Sequence, residues 1–465
     1  MRPAARVGLA WLLLLGAAAP AGAAARASGG GTLTVGLIGL HPVAADSVED
    51  SPEAFSARAL LALPLCRLLP RQVPLLATFS RTHSAPTEEV QLLPVPEARF
   101  ADGSPLRTSD IAQAWQRLVR DGSPYLALLQ PVAGLTEALE AAQRAPTGGL
   151  PLPLAFPWPD LEASLCHPAF TPYRSAKGAA PPEGIGLYAP GPEGRWVAAR
   201  GAPGGPPFPS ALSFPALQAR AAGRRVLHGE VDAVLGESLE ETASPMLYAT
   251  YLVYAPESVP QGLREALEAV DTEALVRSFV PGQAVPLHAL LPPPLMESAP
   301  RPQPKPTAPR PTAGGRPFTL GYGLGNAEQR AVAERLQVLL HDAGYAVHLH
   351  ADAPAALRQG RRAGTLQASL VSVLLPPLPA PALAVVLGLA ADGGLMSREL
   401  PPLGAEADAV ERAARVAERV RALAPQLPVV PLYTRRLRAG LSQALLEARR
   451  DAFGLLVLDD AWKRR

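Results

Sequence analysis

The chain alternates between two kinds of hydrophobic spacing. One is a two-residue or continuous apolar run, expected of strands; the other is a three-and-four-residue stripe, expected of helices. Strand-like runs are TLTVGL (32–37), VQLLPV (90–95), MLYATYLVY (246–254), ASLVSVLL (368–375), PVVPLYT (428–434) and GLLVLDDAW (454–462), with shorter candidates WVAAR (196–200) and LSF (212–214). GEVDAVLG (229–236) reads as a turn feeding a strand. Helical spacing covers 55–69, about 260–280 (Leu263, Leu267, Val270, Leu275 and Phe279 inward) and about 405–424. The sharpest helix follows the Asp102-Gly103 turn. Thr108 or Ser109 is placed to cap it, Asp110 adds negative charge at its start, and Ile111, Ala114, Trp115, Leu118 and Val119 make one buried stripe.

Residues 318–351 are the clearest supersecondary unit. FTLGYG is a strand, a helix with Val332, Leu336, Leu339 and Leu340 inward runs to Gly344, and YAVHLHA is a second strand. Strand, helix and strand of this length predict a parallel βαβ unit and an α/β fold. Residues 146–215 are loop-rich, with Gly184, Gly186 and Gly191 around Tyr188. PRPQPKPTAPRPTAGG (300–315) has no apolar period and reads as an extended spacer. Prolines 376, 377, 379 and 381 prevent one continuous helix over 368–391.

The first residues change the picture of compartment. Arg2 and Arg6 precede an apolar run, Val7–Leu15, then small residues with an A-x-A pattern. This order predicts a secretory signal peptide over 1–27; its apolar part is too short to span a bilayer. No cysteine lies near the cleavage region, so no lipid anchor is expected. Charged residues are 18% of the chain and the net charge is +2, a field too weak for a nucleic-acid partner. Cys66 and Cys166 can form a disulfide in an oxidising compartment or remain two buried thiols; the sequence leaves both open.

Catalytic patterns are absent. There is no G-x-S-x-G elbow, and Cys166 and His167 are neighbours that a strand would point to opposite faces. His348 and His350 share a strand face, with His341 and Asp352 nearby, yet the set does not reach convincing metal-ligand spacing. GYGLGN (321–326) lacks the full dinucleotide and P-loop patterns, leaving only an anion site on backbone amides at the helix start. We expect no enzyme activity, no cofactor and no metal.

Several segments, in their order, resemble the family 5 extracytoplasmic solute-binding proteins, the peptide, nickel and oligopeptide-binding components of ABC importers. They are TLTVGL, FADGSPLRTSDIAQAW, GIGLYAPG, HGEVDAVLG, YLVYAPESVPQGLREALEAVDTEALV, VVPLYT and the D-x-W-like end. The resemblance implies a two-lobed α/β fold with an interlobe cleft. The first lobe would take 32–254 with 429–465 and the second 255–428, hinged near Tyr254 and Pro428. It also implies a monomer that delivers a peptide-like or small solute to membrane permease subunits. The candidate cleft residues are His41, Tyr188, Tyr254, Ser372, Leu374 and Tyr433. One departure stands out. Where the family carries an acid and aromatics in its distal lobe, this chain has SVLLPPLPAP (372–381). An ammonium buried there without a partner is penalised by several kcal/mol. The expected ligand is therefore apolar or weakly charged against an apolar wall, the alternative being a member with a structural or regulatory role and no solute.

Overall fold

The computed structural model describes residues 30–38, 52–69, 71–84, 87–145, 148–174, 183–199, 201–236, 244–280, 284–296, 318–390, 393–406 and 408–464. The leader, His41 and the spacer 300–315 lie outside the described residues.

Two six-stranded sheets organise the chain. The first runs Ala439–Leu441, Ala233–Leu235, Gly30–Leu37, Pro209–Ser213, Trp196–Ala198, Tyr188–Pro190. Gly30–Leu37 is parallel to both of its neighbours. The second runs Val285–Pro286, Val429–Arg435, Tyr248–Tyr254, Ala368–Leu374, Phe318–Gly323, Val347–Asp352. Its last two strands are parallel and joined by the helix Ala327–Asp342, the βαβ unit that the spacing predicts. A smaller antiparallel sheet, Ala77–Ser84, Thr87–Pro94 and Leu150–Pro153, carries the helices Thr108–Arg120 and Leu135–Arg144.

The three central strands of the second sheet are buried at every position. Such continuous apolar runs need cover on both faces. One face packs against Leu263, Leu275, Val332 and Leu336 of the flanking helices. The other, with Ala249, Tyr251, Val371 and Val373, belongs to the main core, which reaches Leu33 and Val35 of the first sheet. Tyr248–Tyr254 and Val429–Arg435 therefore pair in the middle of the second sheet and not with the strands of the first. The connections between the sheets lie before Tyr248 and after Arg435, several residues from Tyr254 and Pro428.

Local chemistry moved other boundaries. Residues 55–69 are not one helix: the helix Pro52–Leu61 stops and Cys66–Leu69 pairs as a strand with Arg71–Pro74. The 260–280 helix is two, because Asp271 Oδ1 accepts from the Ala274 N–H (3.0 Å) and starts a new helix at Thr272. Asp408 likewise accepts from Val410 and Glu411 (2.9 Å each), so the helix there begins at Ala409. The cap of Thr108–Arg120 is neither Thr108 nor Ser109. Arg107 holds the N-cap position and donates its N–H to Asp110 (2.8 Å), while the Thr108 hydroxyl donates to Gly148 O (2.5 Å). GLLVLDDAW forms only two short pieces, Leu456–Val457 and Trp462–Lys463.

Cys66 and Cys166 are joined in a disulfide, Cα–Cα 4.6 Å, closing the question the sequence left open. The proline-rich 376–381 stretch starts a helix, Pro379–Leu389, with proline in its first positions, where a missing N–H costs nothing. This helix is apolar all round and buried accordingly. It packs on the 3-10 helix Pro124–Leu129 so closely that a Cβ on Gly388 would lie 2.5 Å from the Pro124 carbonyl oxygen.

Candidate functional site

Register places the polar residues of the second sheet together. Thr250 lies opposite Ser372 on one side and Tyr433 on the other. Cross-strand partners share a face, so the three side chains form a row. Thr250 Oγ1 and Ser372 Oγ are 2.8 Å apart. The first turn of Ala327–Asp342 comes down on this row. Gln329 Nε2 donates to Ser372 Oγ (2.9 Å), and the Tyr433 hydroxyl donates to Glu328 Oε1 (2.9 Å).

Charges extend the row toward the first sheet. Arg435, only 3% exposed, donates from Nε to Glu328 (3.2 Å) and from Nη2 to Glu53 Oε1 (3.3 Å). Arg438 reaches the same Glu53 oxygen at 3.5 Å. Glu53 stands in the first turn of Pro52–Leu61, a helix that packs on the first sheet. The Glu53–Arg435 contact thus bridges the two sheets. Burial opposes the charge on Glu53, but Arg435 and Arg438 outweigh it and hold the carboxyl below its ordinary range. Burial likewise opposes the Arg435 charge, and Glu328 and Glu53 outweigh it. The Tyr248 phenol beside them is pushed up by burial. Chemically, the arrangement offers a guanidinium, carboxylates and hydroxyls to a small polar or charged molecule.

Of the residues expected in a cleft, the structure brings Ser372 and Tyr433 together here. Tyr254 is at the far end of its strand, opposite Ala368, with the Arg264 guanidinium 5.7 Å from its ring centre. Tyr188 is buried in the first sheet, and its hydroxyl has no hydrogen-bond partner. His41 lies outside the described residues. Leu374 lies two residues beyond Ser372, opposite Tyr248, and is fully buried. Its N–H donates to the Tyr125 hydroxyl and its carbonyl accepts from His167 Nε2, both at 2.9 Å. Leu374 and Leu375 are fully buried in the main core. The apolar wall expected of SVLLPPLPAP is therefore covered by protein, since apolar side chains facing another part of the chain gain most by packing against it.

Sequence reasoning missed Glu53, Glu328, Tyr248 and Arg435. The one available signal was TRRLR directly after VVPLY, which places a guanidinium at the end of a buried strand. The other chemistries tested resolve simply. Cys166 carries no thiol. Burial lowers His167 to about 4, so it is neutral. The GYGLGN amides are used internally: Gly323 N–H donates to Gln329 Oε1 (2.7 Å), Leu324 N–H to Asp352 O (2.9 Å) and Gln329 N–H to Asn326 Oδ1 (3.0 Å). Among the described residues no three His, Cys, Asp or Glu side chains converge as a metal site. A cavity of about 10 Å³, room for one water, lies beside Gln329 and Leu370. An open groove of about 540 Å³ lies at the surface between Gln72, Phe79 and Glu162.

Comparison of the whole chain with solved structures gives full-length matches. The murein tripeptide-binding protein MppA of Escherichia coli aligns with 93% of this chain and 98% of its own, at TM-score 0.66 and 17% identity. This chain has the two-lobed solute-binding-protein fold. The oligopeptide-binding protein AppA of Bacillus subtilis, solved with a nonapeptide, aligns over 94% and 100% (TM-score 0.63, 14% identity). NikA of Staphylococcus aureus, solved with Ni(L-His)2, aligns over 93% and 100% (TM-score 0.62, 13% identity). No protein-family model and no curated protein matches the sequence. In this fold the Glu53–Arg435 contact joins the helix on the first sheet to a strand of the second.

Proposed function

We propose that this chain is an exported solute-binding protein of an ABC-type importer, holding a small peptide-like or apolar solute between its lobes. The observation that carries this reading is the buried, hydrogen-bonded charge network at the lobe junction, with Glu53 on one side and Arg435, Glu328 and Tyr433 on the other. Isolated charges are costly to bury, and removing one partner of a buried pair costs about 3–5 kcal/mol, so such a network marks a place where polar groups have a use. We divide the lobes at the connections 244–247 and 436–438, where the chain passes between the sheets. The leader and the Cys66–Cys166 disulfide support an extracytoplasmic location, and no helix among the described residues is long and apolar enough to cross a membrane. The protein acts as a monomer that meets membrane permease subunits, without cofactor or catalysis.

A second reading has its own observation. Leu374, Leu375 and the Pro379–Leu389 helix are packed in the main core, the helix against Pro124–Leu129. That favours a member that kept the fold for a structural or regulatory role. Native mass spectrometry of the exported protein separates the two. A small molecule retained in stoichiometric amount supports solute binding. An empty chain, with no thermal shift across peptide and metabolite libraries, supports the second.

A further inference from the structure

Arg435 is held loosely for a buried arginine. Its contacts to Glu328, Glu53 and Arg436 O are 3.2, 3.3 and 3.5 Å. Charge-assisted N–H···O bonds ordinarily measure about 2.7–2.9 Å. Elsewhere in this chain half-buried and buried arginines do better: Arg81 lies 2.6 Å from Glu88 and Arg412 lies 3.0 Å from Asp160. The guanidinium of Arg435 is thus spread over distant acceptors, none at full strength.

Tyr248 adds an independent observation. It is 1% exposed, and its hydroxyl makes no hydrogen bond of acceptable geometry. The Arg435 guanidinium carbon is 4.9 Å from its ring centre, and the hydroxyl lies in the field of Arg435, Glu328 and Glu53, with Ser372 nearby. A phenol in that position is a donor without an acceptor. A carboxylate offers about four lone-pair sites and accepts from a guanidinium and a hydroxyl together.

The two lobes share these charges unevenly. Glu328 and Tyr433 belong with Arg435 to the second sheet and its helix, whereas Arg438 stays with Glu53 at the first. If Glu53 withdraws from Arg435, Arg438 keeps it paired, and Arg435 gains an open side facing Tyr248. We infer that Arg435 and Tyr248 form a subsite for a carboxylate of the solute, with the Glu53 side chain occupying the guanidinium in its stead in this structure. The inference rests on the interlobe-solute reading and names the chemical group which that site reads.

Calorimetry on the full exported chain, freed of retained solute, tests it with succinate, trialanine and trialanine amide as probes. Free-acid probes should bind about tenfold or more tightly than the amide, the discrimination expected of a charged hydrogen-bonding pair. Arg435→Gln should erase that difference, and Tyr248→Phe should weaken free-acid binding several-fold while leaving the amide unchanged. Glu53→Gln should tighten free-acid binding, because a competitor is removed; a merely supporting Glu53 would give the opposite sign. Should Arg435→Gln fail to fold, the Tyr248 and Glu53 variants decide the matter. Equal binding of acid and amide, or weaker free-acid binding by Glu53→Gln, overturns the carboxylate subsite and leaves solute binding standing. No binding of any probe by any variant, with no small molecule retained in purification, overturns both.

Discussion

Ala380→Asp decides whether SVLLPPLPAP faces a cleft or a core. A solvent-lined wall would accept the new carboxylate and could gain an ammonium partner from a peptide. The structure predicts otherwise. Ala380 is 2% exposed in the first turn of Pro379–Leu389, and its neighbours Pro381, Ala382 and Leu383 are buried with it. Placing a carboxylate there incurs a desolvation penalty of several kcal/mol, of which the helix N-terminus returns at most about 1–2. The expected loss is about 2–4 kcal/mol of folding stability at pH 7, with no gain in peptide affinity. Burial also raises the pKa of the new carboxyl, so the folded state takes up a proton more readily than the unfolded chain. The penalty is therefore largest at neutral pH and shrinks as pH falls toward 4. Urea denaturation followed by circular dichroism at pH 7 and pH 4.5, beside calorimetry with di- to pentapeptides, measures both effects. A variant as stable as the parent that binds peptides more tightly refutes this placement.

Other expectations follow from the same geometry. Replacing Cys66 and Cys166 by Ser opens a loop of 100 residues, for which chain entropy gives a loss of about 4–5 kcal/mol; a loss under 1 kcal/mol by denaturation would remove the disulfide as a major support. His167 has its pKa lowered from 6.5 to about 4 by burial, so its contribution is intact above pH 6.5 and is lost as pH falls toward 4, by about 3 kcal/mol. Asp451, raised to about 6 by burial, acts in the opposite sense, weakening folding as pH rises from 3.8 to 6, so the check is whether His167→Gln flattens the acid limb relative to the parent. Gly388→Ala tests the close approach to Pro124: helix propensity alone predicts a gain of about 1 kcal/mol, the overlap predicts a net loss of about 1–3, and a stabilised variant would mean that the approach is not tight.

What was legible in the sequence follows from range. The βαβ unit, the strand Tyr248–Tyr254 and the stripe Ile111, Ala114 and Trp115 rest on local periodicity and stand as the pattern predicts, whereas Val119, at the end of that stripe, is exposed. The breaks at Asp271 and Asp408 were missed because a capping side chain competes with an unbroken apolar period, and the period was followed. The lobe assignment of Tyr248–Tyr254 depended on which strands pair, a long-range choice that local pattern does not encode. The site was half legible for the same reason. Ser372 and Tyr433 announce themselves as polar groups in apolar strands. Glu53 is brought to Arg435 from 382 positions away, and nothing in PEAF or YTRR signals the other.

At the lobe division proposed above the junction has two unlike seams, and on the solute-binding reading their difference limits what could be held. Along one seam the Pro379–Leu389 helix, Leu374 and Leu375 are packed against Pro124–Leu129, Tyr125 and His167, and the helix is buried on all sides. Exposing one of its large side chains costs about 1.5–3 kcal/mol. Parting several of them would consume much of the 5–15 kcal/mol that keeps a domain folded, so this seam stays shut during any lobe movement. Along the other seam the link across is Glu53–Arg435, at 3.3 Å, while Arg438, 3.5 Å from the same carboxylate, stays on the Glu53 side. Each has an alternative partner on its own side, so separating Glu53 from Arg435 strands no charge. On the proposed division of the lobes, movement would pivot about the apolar seam and open the polar one. On that reading we expect a solute of a few residues' length at most, since Leu374 and Leu375 stay covered. A long peptide captured with its middle residues protected from protease would show that the apolar seam opens as well.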